Sequence, residues 1–513
     1  MKHSAARLYV TAFIGGVVSL ALELSASRLL APAFGTTDLV WAAIIGLILL
    51  YLSVGYALGG RWADRSPEPA TLYTILVAAG LSIGLIPILA RPVLQLAVSG
   101  MAAWNLGLIA GPFVLVLILF VVPVTLLACV SPFVIRLSVD DLMATGATTG
   151  RIYAISTLGS FIGTFLPNLL LIPNLGTRRT FLTLAILTTL TGLWGLWASH
   201  RRRCLALSWS LAILVALFVI QPSTIKPQAG LLYEDESTSN FIQVVEDASG
   251  VRQLLLNEGQ GIHSVYDPQG GILTGGPWDY YLIAPYFNAY PHPPAQVSSL
   301  LIVGLAGGTT ATQFTTVYGP IPFDGVEIDG AIVEAGRRYF GMVQPNLEVL
   351  VADGRMALAR SQKQYSVIAV DAYRLPYIPW HLTTVEFFGQ VRDHLTADGV
   401  VAINVGHTEG DWRLVDALRS TMLEVFPSVH TLSVPGSLNA IVVATAQPTE
   451  ASNLDRNLVL LEDPSLRATA ERALDNLVLR ESIGPVFTDD RAPVEQITHD
   501  LALRYVLGID GAE

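Results

Sequence analysis

The sequence predicts two unlike parts: an N-terminal α-helical transmembrane bundle, and a C-terminal doubly wound α/β domain preceded by a small β subdomain. Three observations lead to this fold class. The first 221 of the 513 residues are almost continuously apolar, whereas the remainder has the composition of a soluble protein. Beyond residue 297, short strand-like runs alternate with helical runs. The predicted strands end in glycine or in an acid, as they do around ligand sites in such sheets.

Apolar runs long enough to cross a bilayer recur throughout residues 1–221, which we assign to the transmembrane domain. Seven spans are predicted, at residues 8–31, 39–60, 71–90, 107–135, 152–173, 179–198 and 204–221. An eighth span is predicted if the segment from Pro92 to Trp104 enters the bilayer. The first span lacks a short apolar core and runs directly into further spans, so we do not expect it to be a cleavable signal.

Basic residues in the short loops predict the orientation of the bundle. The larger set would share one side and comprises Lys2, Arg7, Arg61, Arg65, Arg136, Arg151 and the run Arg201-Arg202-Arg203. The smaller set, on the other side, comprises Arg91, Arg178 and Arg179. The N-terminus is therefore predicted to be cytoplasmic. Seven spans would place the C-terminal half outside the cytoplasm, whereas one further span would return it there.

Glu23 lies deep in the first predicted span, with Arg28 about one helical turn further on. An unpaired charge in this position costs about 3 kcal/mol, so it should face a partner or a cavity. Two interpretations remain open: a polar path or ligand site within the bundle, or an internal ion pair that fixes helix packing. The bundle lacks the several charged spans expected of an ion-coupled transporter.

Charge, cysteine and histidine usage exclude several classes of function. The net charge of -11 gives no sign of nucleic-acid binding. The two cysteines, Cys129 and Cys204, lie in or beside apolar spans, which argues against a disulfide framework or a cysteine-rich metal site. The histidines His263, His381 and His407 show no metal-ligand spacing, so we predict no metal site.

The C-terminal half divides into four segments. Residues 222–230 form a linker that contains proline and glycine. Residues 231–296 form a small β subdomain, which begins with a β-hairpin. Residues 297–450 form the doubly wound domain, and residues 451–513 form a helical extension.

Residues 298–329 have the pattern of a β-α-β unit. An apolar strand over residues 300–303 is followed by a turn that contains Gly304, Gly307 and Gly308, and then by a helical segment. Glycines let the backbone approach a ligand closely, and the start of the helix offers free N–H groups. An acid at the tip of the next strand can accept hydrogen bonds from two ribose hydroxyls. The unit is therefore a candidate nucleoside site.

Acids stand at the carboxyl ends of the strands that follow. Glu327 and Asp329 end the second strand, Asp353 follows the third and Asp371 follows the fourth. Ligands of doubly wound sheets bind at these ends, so we predict one shared site. The alternative is that the acids are helix N-caps, which would explain one or two of them.

At these positions the chain resembles spermidine synthase and its aminopropyltransferase relatives. It resembles more closely the bacterial membrane proteins in which such a domain follows a helical membrane region. The resemblance covers roughly residues 230–450 and is carried by Leu301-Ile302-Val303-Gly304, Val326-Glu327-Ile328-Asp329, Asp353-Gly354 and Val370-Asp371. The closing sequence, Thr488-Asp489-Asp490-Arg491-Ala492-Pro493-Val494-Glu495, resembles the tail motif of the membrane-fused group.

The resemblance implies a Rossmann-like, S-adenosylmethionine-binding fold and assigns roles to the acids. Glu327 would hold the ribose of decarboxylated S-adenosylmethionine or methylthioadenosine. Asp353 and Gly354 would recognise the adenine, and Asp371 would be the catalytic acid. Domains of this family are usually dimers or tetramers, so a homo-oligomer is expected.

The chain departs from the family's motifs in four places. Gly307 stands where the soluble synthases have an aspartate that binds the amine of the aminopropyl arm, and Arg374 where a second aspartate holds the acceptor diamine. Trp278-Asp279-Tyr280 stands in place of their tyrosine-histidine-glutamate helix start, and Asn240 in place of a glutamine in the first hairpin.

These departures change the charge of the expected site. Loss of two acids and gain of a guanidinium make a diamine a poor acceptor. Arg374 could instead bind a carboxylate in a bidentate pair, although a surface salt bridge explains it equally well. We therefore predict a membrane-bound enzyme that binds S-adenosylmethionine, or its decarboxylated form, and breaks the sulfonium–Cγ bond. The product would be 5′-methylthioadenosine, released by transfer to an acceptor or by intramolecular cyclisation.

Three alternatives are kept. The chain could be a true aminopropyltransferase that makes spermidine from putrescine, an S-adenosylmethionine-dependent methyltransferase, or a non-catalytic membrane protein gated by a nucleoside. No cofactor beyond the substrate is expected. The expected partners are membrane lipids, the nucleoside substrate, a polyamine acceptor and a second copy of the chain. Because the substrate is made in the cytosol, we expect a multi-pass protein of the inner (plasma) membrane with its catalytic domain in the cytoplasm.

The sequence yields two groups of candidate site residues. The predicted catalytic residues are Asp371, Tyr373 and Arg374. The predicted nucleoside-binding residues are Asn240, His263, Asp279, Gly304, Gly307, Gly308, Glu327, Asp329, Asp353 and Gly354.

Overall fold

The computed structural model divides the chain into two compact units. It describes all residues except 1–4, 35–37, 103–106, 140–144, 221–225, 227, 238, 258–260, 374–376, 481–482 and 508–513. The N-terminal unit comprises residues 1–227, 236–241 and 257–259. The C-terminal unit comprises residues 228–235, 242–256 and 260–513.

The N-terminal unit is helical, as its long apolar runs predict. Its helices are α1 (Ala5–Phe34), α2 (Asp38–Arg65), α3 (Pro69–Ala102), α4 (Gly107–Ala128), α5 (Val130–Ser138), α6 (Thr145–Leu166), α7 (Ile172–Ser199), α8 (Arg201–Leu207) and α9 (Trp209–Val219), with a π-helical turn at Pro167–Leu171. Within the described residues, six stretches are long and apolar enough to cross a membrane: Ala5–Ala31, Val40–Arg65, Pro69–Ala90, Gly111–Ser138, Thr145–Ser199 and Arg201–Val219. These stretches are compatible with membrane insertion.

The stretch Thr145–Ser199 has 55 residues, whereas one crossing requires about 20. Gly176 interrupts it with a left-handed backbone conformation (φ 77°), between the predicted spans at 152–173 and 179–198. The six stretches therefore cover all seven predicted spans, and the number of crossings stays a prediction. Pro92 lies within α3, while Trp104, the end of the predicted eighth span, lies outside the described residues.

Glu23 is half-buried on α1, one of the candidate spans. The Arg28 guanidinium donates a hydrogen bond to the Ser237 carbonyl oxygen at 3.2 Å, within the same unit. No hydrogen bond or ion pair joins Glu23 to another residue in the described part of the chain. The expected ion pair between Glu23 and Arg28 is therefore not formed there, and the ligand-site interpretation stays a prediction.

Helices α1 and α6 approach each other through glycine. A Cβ atom at Gly159 would overlap the carbonyl oxygen of Phe13, and one at Gly163 would overlap that of Val17. In a bilayer, apolar helices gain little by burying apolar surface against one another, so close packing of small residues contributes much of their association. The glycines of α6 thus bring the two helices to backbone contact.

The small β subdomain forms a four-stranded sheet. Its strands, in spatial order, are β1 (Leu231–Glu236), β2 (Phe241–Glu246), β3 (Arg252–Leu256) and β4 (Ile262–Tyr266). The predicted hairpin is confirmed: β2 and β3 are antiparallel, with Ile242 opposite Leu256. Alternate residues of these strands, such as Val244 and Leu254, are buried with Ile332 in a small apolar core.

The doubly wound domain contains a mixed seven-stranded sheet in the order β10-β11-β9-β8-β5-β6-β7. The strands are β5 (Leu300–Val303), β6 (Phe323–Glu327), β7 (Leu347–Val351), β8 (Tyr365–Val370), β9 (Leu395–Gly406), β10 (Ser428–Ser433) and β11 (Asn439–Thr445). Strands β5 to β9 are parallel, and β10 and β11 add an antiparallel edge. After β5 the chain adds β6 and then β7 on one side of β5. The next strand, β8, pairs with β5 on the opposite side. The strand order therefore reverses beside β5, which is where such sheets bind ligands.

Helices cover both faces of this sheet. They are α10 (Pro277–Ile283), α11 (Thr309–Tyr318), α12 (Gly330–Tyr339), α13 (Gly354–Arg360), α14 (Val385–Asp393) and α15 (Arg413–Leu423), followed by α16 (Ser452–Asn457), α17 (Pro464–Asp475) and α18 (Val494–Leu507) of the C-terminal extension. Leu300 and Ile302 are buried in one apolar core, and Leu301 and Val303 in the other, as expected for a strand covered on both sides.

The close approach of α1 and α6 predicts the effect of one added methyl group. Gly159→Ala should lower the melting temperature of the full-length protein in detergent, because the methyl group would overlap the backbone of α1; overpacking of this kind costs about 1–3 kcal/mol. Gly150→Ala on the same helix is the matched control, since a Cβ there meets nothing within 4 Å. Thermal unfolding followed by circular dichroism measures both variants, and equal melting temperatures would contradict the packing described here.

Candidate nucleoside site at the strand tips

The candidate site is built around the turn that follows β5. Gly304 has a left-handed backbone conformation (φ 93°), and a Cβ there would lie 2.5 Å from the carbonyl oxygen of Asp371. A Cβ at Gly354 would overlap the side chain of Val303. Both positions require glycine because the segments that follow β7 and β8 approach the end of β5 so closely. The tips of β5, β7 and β8 therefore meet at one place.

Gly307 and Gly308 complete this turn in front of α11. The backbone N–H of Gly307 donates to Ser264 Oγ at 2.8 Å, and a Cβ at position 307 would lie 2.9 Å from Ser264 Cβ. Ser264, on β4, thus fills the space that an aspartate side chain would need at this position. Gly308 has φ 91°, a backbone conformation that residues other than glycine rarely adopt.

Glu327 ends β6 and is buried against the same turn. Its Oε2 accepts a hydrogen bond from the N–H of Ala306 at 2.9 Å, and its Oε1 from the N–H of Asp329 at 3.2 Å. Burial raises the pKa of Glu327 to about 7, although the backbone donors oppose this shift. Each carboxylate oxygen has a further lone pair, which can accept a hydrogen bond from a ribose hydroxyl.

Two of the acids at the strand tips cap helices, as the alternative interpretation expects. Asp329 accepts from the N–H of Ala331 at 3.0 Å at the start of α12. Asp353 accepts from the N–H of Met356 at 3.0 Å at the start of α13. Each of these capping bonds uses one oxygen of the carboxylate.

The second oxygen of Asp353 contacts a histidine. His381 Nε2 lies 2.8 Å from Asp353 Oδ2, and both side chains are partly exposed. Burial raises the pKa of Asp353, but the hydrogen bonds from Met356 N–H and His381 outweigh it, so the pKa lies below its ordinary value. The carboxylate is therefore ionised and fixed in orientation.

Asp371 follows β8 and is held by neutral donors. Asn404 Nδ2 donates to its Oδ1 at 2.9 Å. Burial raises the pKa of Asp371 to about 6, and the polar side chains of Asn404, Trp278 and Tyr281 lower it in part. A carboxylate with such a pKa is mostly ionised at neutral pH and can still accept a proton.

Tyr373 lies beside Asp371 in the chain. Its hydroxyl donates to the Asn404 carbonyl oxygen at 3.1 Å, and burial raises its pKa. The phenol is therefore neutral and held in place, as an aromatic neighbour of the carboxylate would be. Arg374, the third predicted catalytic residue, lies outside the described residues, and its role stays a prediction.

Asp279 has the contacts of a structural residue. It is fully buried on α10, and its carboxylate accepts hydrogen bonds from Thr274 and from the N–H of Gly275. Gln313 Nε2 and Arg472 NH2 each donate to it at 2.7 Å. Through these contacts Asp279 joins the loop that precedes α10 to helices α11 and α17. Its predicted role in nucleoside binding stays a prediction.

Two further predicted residues, Asn240 and His263, lie beside or on strands of the small β subdomain. Asn240 belongs to the N-terminal unit, where its Oδ1 accepts from Asn257 Nδ2 at 3.0 Å. His263 precedes Ser264 on β4, and burial lowers its pKa to about 4, so it is neutral. Its Nε2 is buried without a hydrogen-bond partner in the described part of the chain. The binding roles of both residues stay predictions.

Three side chains that shape the site were not predicted: Ser264, Tyr281 and Asn404. A signal for Asn404 was available, because it is a polar residue in an otherwise apolar strand and lies near the carboxyl end of β9. Ser264 and Tyr281 carried no such signal, since their contacts join distant parts of the sequence. His381 was considered only as a metal ligand, whereas it contacts Asp353.

The fold and the strand tips define the class of protein. A parallel sheet whose order reverses beside a glycine turn, with a buried acid at the next tip, defines a Rossmann-like fold, which is common among nucleoside-binding proteins. The spermine/spermidine synthase domain model matches residues 295–456. The chain is 31% identical over 309 residues to the probable polyamine aminopropyl transferase of Bifidobacterium longum, a match covering 55% of this chain and 67% of that protein. The chain therefore belongs to the spermidine synthase, or polyamine aminopropyltransferase, family, and the resemblance recognised in the sequence is confirmed.

Other similarities are shorter or more distant. The chain is 32% identical over 141 residues to the polyamine aminopropyltransferase of Vibrio vulnificus, a match that covers 26% of this chain and 46%, about half, of that protein. It is also similar to the crystal structure of spermidine synthase from Thermotoga maritima, with 19% identity, a TM-score of 0.40, and coverage of 49% of this chain and 84% of that one.

The contacts of Asp279 predict a large effect of its removal on stability. Asp279→Ala should lower the free energy of unfolding of the C-terminal unit by about 3–5 kcal/mol, because Arg472 would lose its buried counter-ion. Asp475→Ala is the matched control, since Asp475 is an exposed acid on the same helix as Arg472. Thermal unfolding of the full-length protein measures both. Similar stability of the two variants would show that Asp279 is free for another role.

Proposed function

We propose that this chain is a membrane-anchored aminopropyltransferase. It transfers the aminopropyl group of decarboxylated S-adenosylmethionine to an amine of the polyamine class and releases 5′-methylthioadenosine. The observation that carries the proposal is the Asp371 carboxylate, which is held by neutral donors at the tip of β8. The backbone of the same residue lies against Gly304 of the glycine turn. Membership of the polyamine aminopropyltransferase family supports an amine as acceptor.

The strand tips would bind the nucleoside in the manner that the family resemblance implies. Glu327 accepts hydrogen bonds from the two ribose hydroxyls, and Asp353 accepts one from the adenine amino group. Gly304 allows the sulfur to approach β5, since any side chain there would collide with the backbone of Asp371. These assignments place the sulfonium near Asp371, where a positive charge is stabilised.

The reaction requires alignment more than covalent catalysis. The lone pair of the acceptor nitrogen attacks the carbon attached to sulfur, the C–N bond forms, and the C–S bond breaks. The electron pair of the broken bond stays on sulfur, which leaves as the neutral thioether of methylthioadenosine. Asp371 accepts a proton from the attacking amine, a contribution of roughly 10²- to 10⁴-fold for a positioned base.

One observation favours a second candidate, the cleavage of intact S-adenosylmethionine by its own carboxylate. Ser264 packs against Gly307, so no acid stands where the soluble synthases bind the amine of the aminopropyl arm. In this reaction a carboxylate oxygen attacks the same carbon, the C–S bond breaks, and the products are a lactone and methylthioadenosine. No acceptor amine takes part, so the two candidates differ in their need for one.

The apolar helices of the N-terminal unit support anchoring in a membrane. We place the C-terminal unit on the cytoplasmic side, where its nucleoside substrate is made. This arrangement requires an even number of crossings if the N-terminus is also cytoplasmic.

The proposed reaction predicts its products. Full-length protein in detergent, incubated with decarboxylated S-adenosylmethionine and putrescine, should form spermidine and methylthioadenosine in equal amounts, as measured by mass spectrometry. Asp371→Asn should lower kcat by about 10²- to 10⁴-fold, because the base is lost, while methylthioadenosine still binds. Asp393→Asn, a change at an exposed acid on α14, is the control.

Each other product points to a different function. Methylthioadenosine formed from intact S-adenosylmethionine without an amine supports the second candidate, and S-adenosylhomocysteine would identify a methyltransferase. Full activity of Asp371→Asn would exclude Asp371 as the catalytic acid.

The raised pKa of Asp371 predicts the pH dependence of the reaction. The acid must be ionised to accept a proton, so kcat/KM should fall as the pH drops through about 6. Below that pH the loss is about tenfold for each pH unit. Asn404→Ala removes a hydrogen bond that lowers this pKa, and should therefore move the acid limb to higher pH. An acid limb that stays in place in this variant would show that another group titrates.

A further inference from the structure

The tail motif Thr488-Asp489-Asp490-Arg491, to which the proposed reaction assigns no role, forms a tight turn. The backbone N–H groups of Thr488 and Arg491 donate to each other's carbonyl oxygens at 3.1 and 2.9 Å. Phe487, just before the turn, is fully buried and its N–H donates to Thr421 Oγ1 at 2.9 Å. The turn is thus held against the body of the C-terminal unit. We call residues 488–491 the C-terminal turn.

Asp489 is the residue of this turn that contacts the rest of the unit most extensively. Arg355 NH1 and NH2 donate to its two carboxylate oxygens at 2.7 Å each. Thr384 Oγ1 donates to Asp489 Oδ1 at 2.7 Å, and the N–H of Asp489 donates to Glu386 Oε2 at 3.0 Å. A bidentate arginine–carboxylate pair of this kind fixes the orientation of both side chains.

Arg355 connects the C-terminal turn to the proposed adenine-binding acid. It follows Asp353 and Gly354 on the first turn of α13, and its NH1 also donates to the carbonyl oxygen of His381 at 3.2 Å. The imidazole of His381 contacts Asp353 Oδ2 at 2.8 Å. Asp489, Arg355, His381 and Asp353 therefore form one continuous polar network.

We infer that Asp489 is a positioning residue for adenine recognition: it holds Arg355 and His381 so that Asp353 remains free to accept a hydrogen bond from the adenine amino group. The inference deepens the proposed function and rests on its assignment of Asp353 to the nucleoside.

The physical reason lies in the competition for the carboxylate of Asp353. Met356 N–H and His381 each use one acceptor position, which leaves about two of the roughly four that a carboxylate offers. Apart from Asp489, the acids that act electrostatically on the Arg355 guanidinium are Glu386 and Asp353. Without Asp489, the guanidinium would lose its bidentate partner and could move towards either of these acids. A contact with Asp353 would occupy the positions that the adenine needs. Asp489 thus protects the binding capacity of Asp353.

The test compares two nucleosides that differ along the base edge that Asp353 would contact. In 5′-methylthioinosine an oxo group, which accepts hydrogen bonds, replaces the donating amino group of methylthioadenosine, and N1 carries a hydrogen. Isothermal titration calorimetry on the full-length protein in detergent should show that Asp489→Asn raises the Kd for methylthioadenosine about tenfold. The Kd for methylthioinosine should change less than about twofold, and the kinetic counterpart is a raised KM for the nucleoside substrate with kcat unchanged.

Two further variants separate positioning from a loss of structure. Asp490→Asn changes the adjacent exposed acid of the same turn and should bind as the wild type does. Arg355→Lys keeps the positive charge but loses the bidentate geometry, and should reproduce the selective loss in part.

Three results would overturn the inference. Equal Kd values for Asp489→Asn and Asp490→Asn would remove Asp489 from the site. Equal weakening for both nucleosides would show that Asp489 only supports the fold. Wild-type protein that binds neither nucleoside would refute the nucleoside assignment itself and the inference with it.

Discussion

The site depends on two carboxylates that are desolvated without a basic partner among the described residues. Burial raises the pKa of Glu327 to about 7 and that of Asp371 to about 6. The groups that contact them are backbone N–H groups and the side chains of Asn404, Trp278 and Tyr281. Neutral donors offset part of the cost of burying these acids but do not neutralise their charge. A cationic ligand such as a sulfonium would supply that charge, so binding and ionisation of the two acids should favour each other.

Three other buried acids of the same unit form ion pairs with basic side chains. The pairs Asp279–Arg472, Asp416–Arg480 and Asp324–Lys363 have N–O distances of 2.7, 2.5 and 2.9 Å. In each pair the acid is buried and a basic side chain compensates its charge. These three acids therefore have basic partners, whereas the described residues that donate hydrogen bonds to Glu327 and Asp371 are neutral. This contrast within one unit is a physical reason to regard those two acids as ligand-binding, independent of any relative.

Sequence reasoning succeeded where the signal was local and failed where it was not. The apolar run of residues 300–303 predicted β5 with the bounds that the structure has, and the acids at the strand tips followed from the alternation of strands and helices. Asp279 illustrates this, because its sequence motif gives no sign that it pairs with an arginine 193 residues away. Ser264 and Gly307 are 43 residues apart, so their contact depends on how β4 packs against the turn. Seven spans were predicted, whereas the structure has six apolar stretches. The two predicted spans at 152–173 and 179–198 fall in one stretch, because the helical segment is interrupted at Gly176 but does not end there.

The packing of β4 against the glycine turn also limits how an aminopropyl arm can be held. Thr309 Oγ1 donates to the Val265 carbonyl oxygen at 2.9 Å and accepts from the Val265 N–H at 2.8 Å, next to the bond between Ser264 and Gly307. These three hydrogen bonds hold β4 against the glycine turn, and Gly307 offers no carboxylate to an ammonium group. The carboxylate of Asp371 remains, together with the aromatic side chains that contact it, and aromatic faces stabilise ammonium groups by cation–π interaction. Recognition of the aminopropyl arm would therefore depend on the aromatic side chains around Asp371. In its selectivity for that arm, this chain should differ from the soluble synthases.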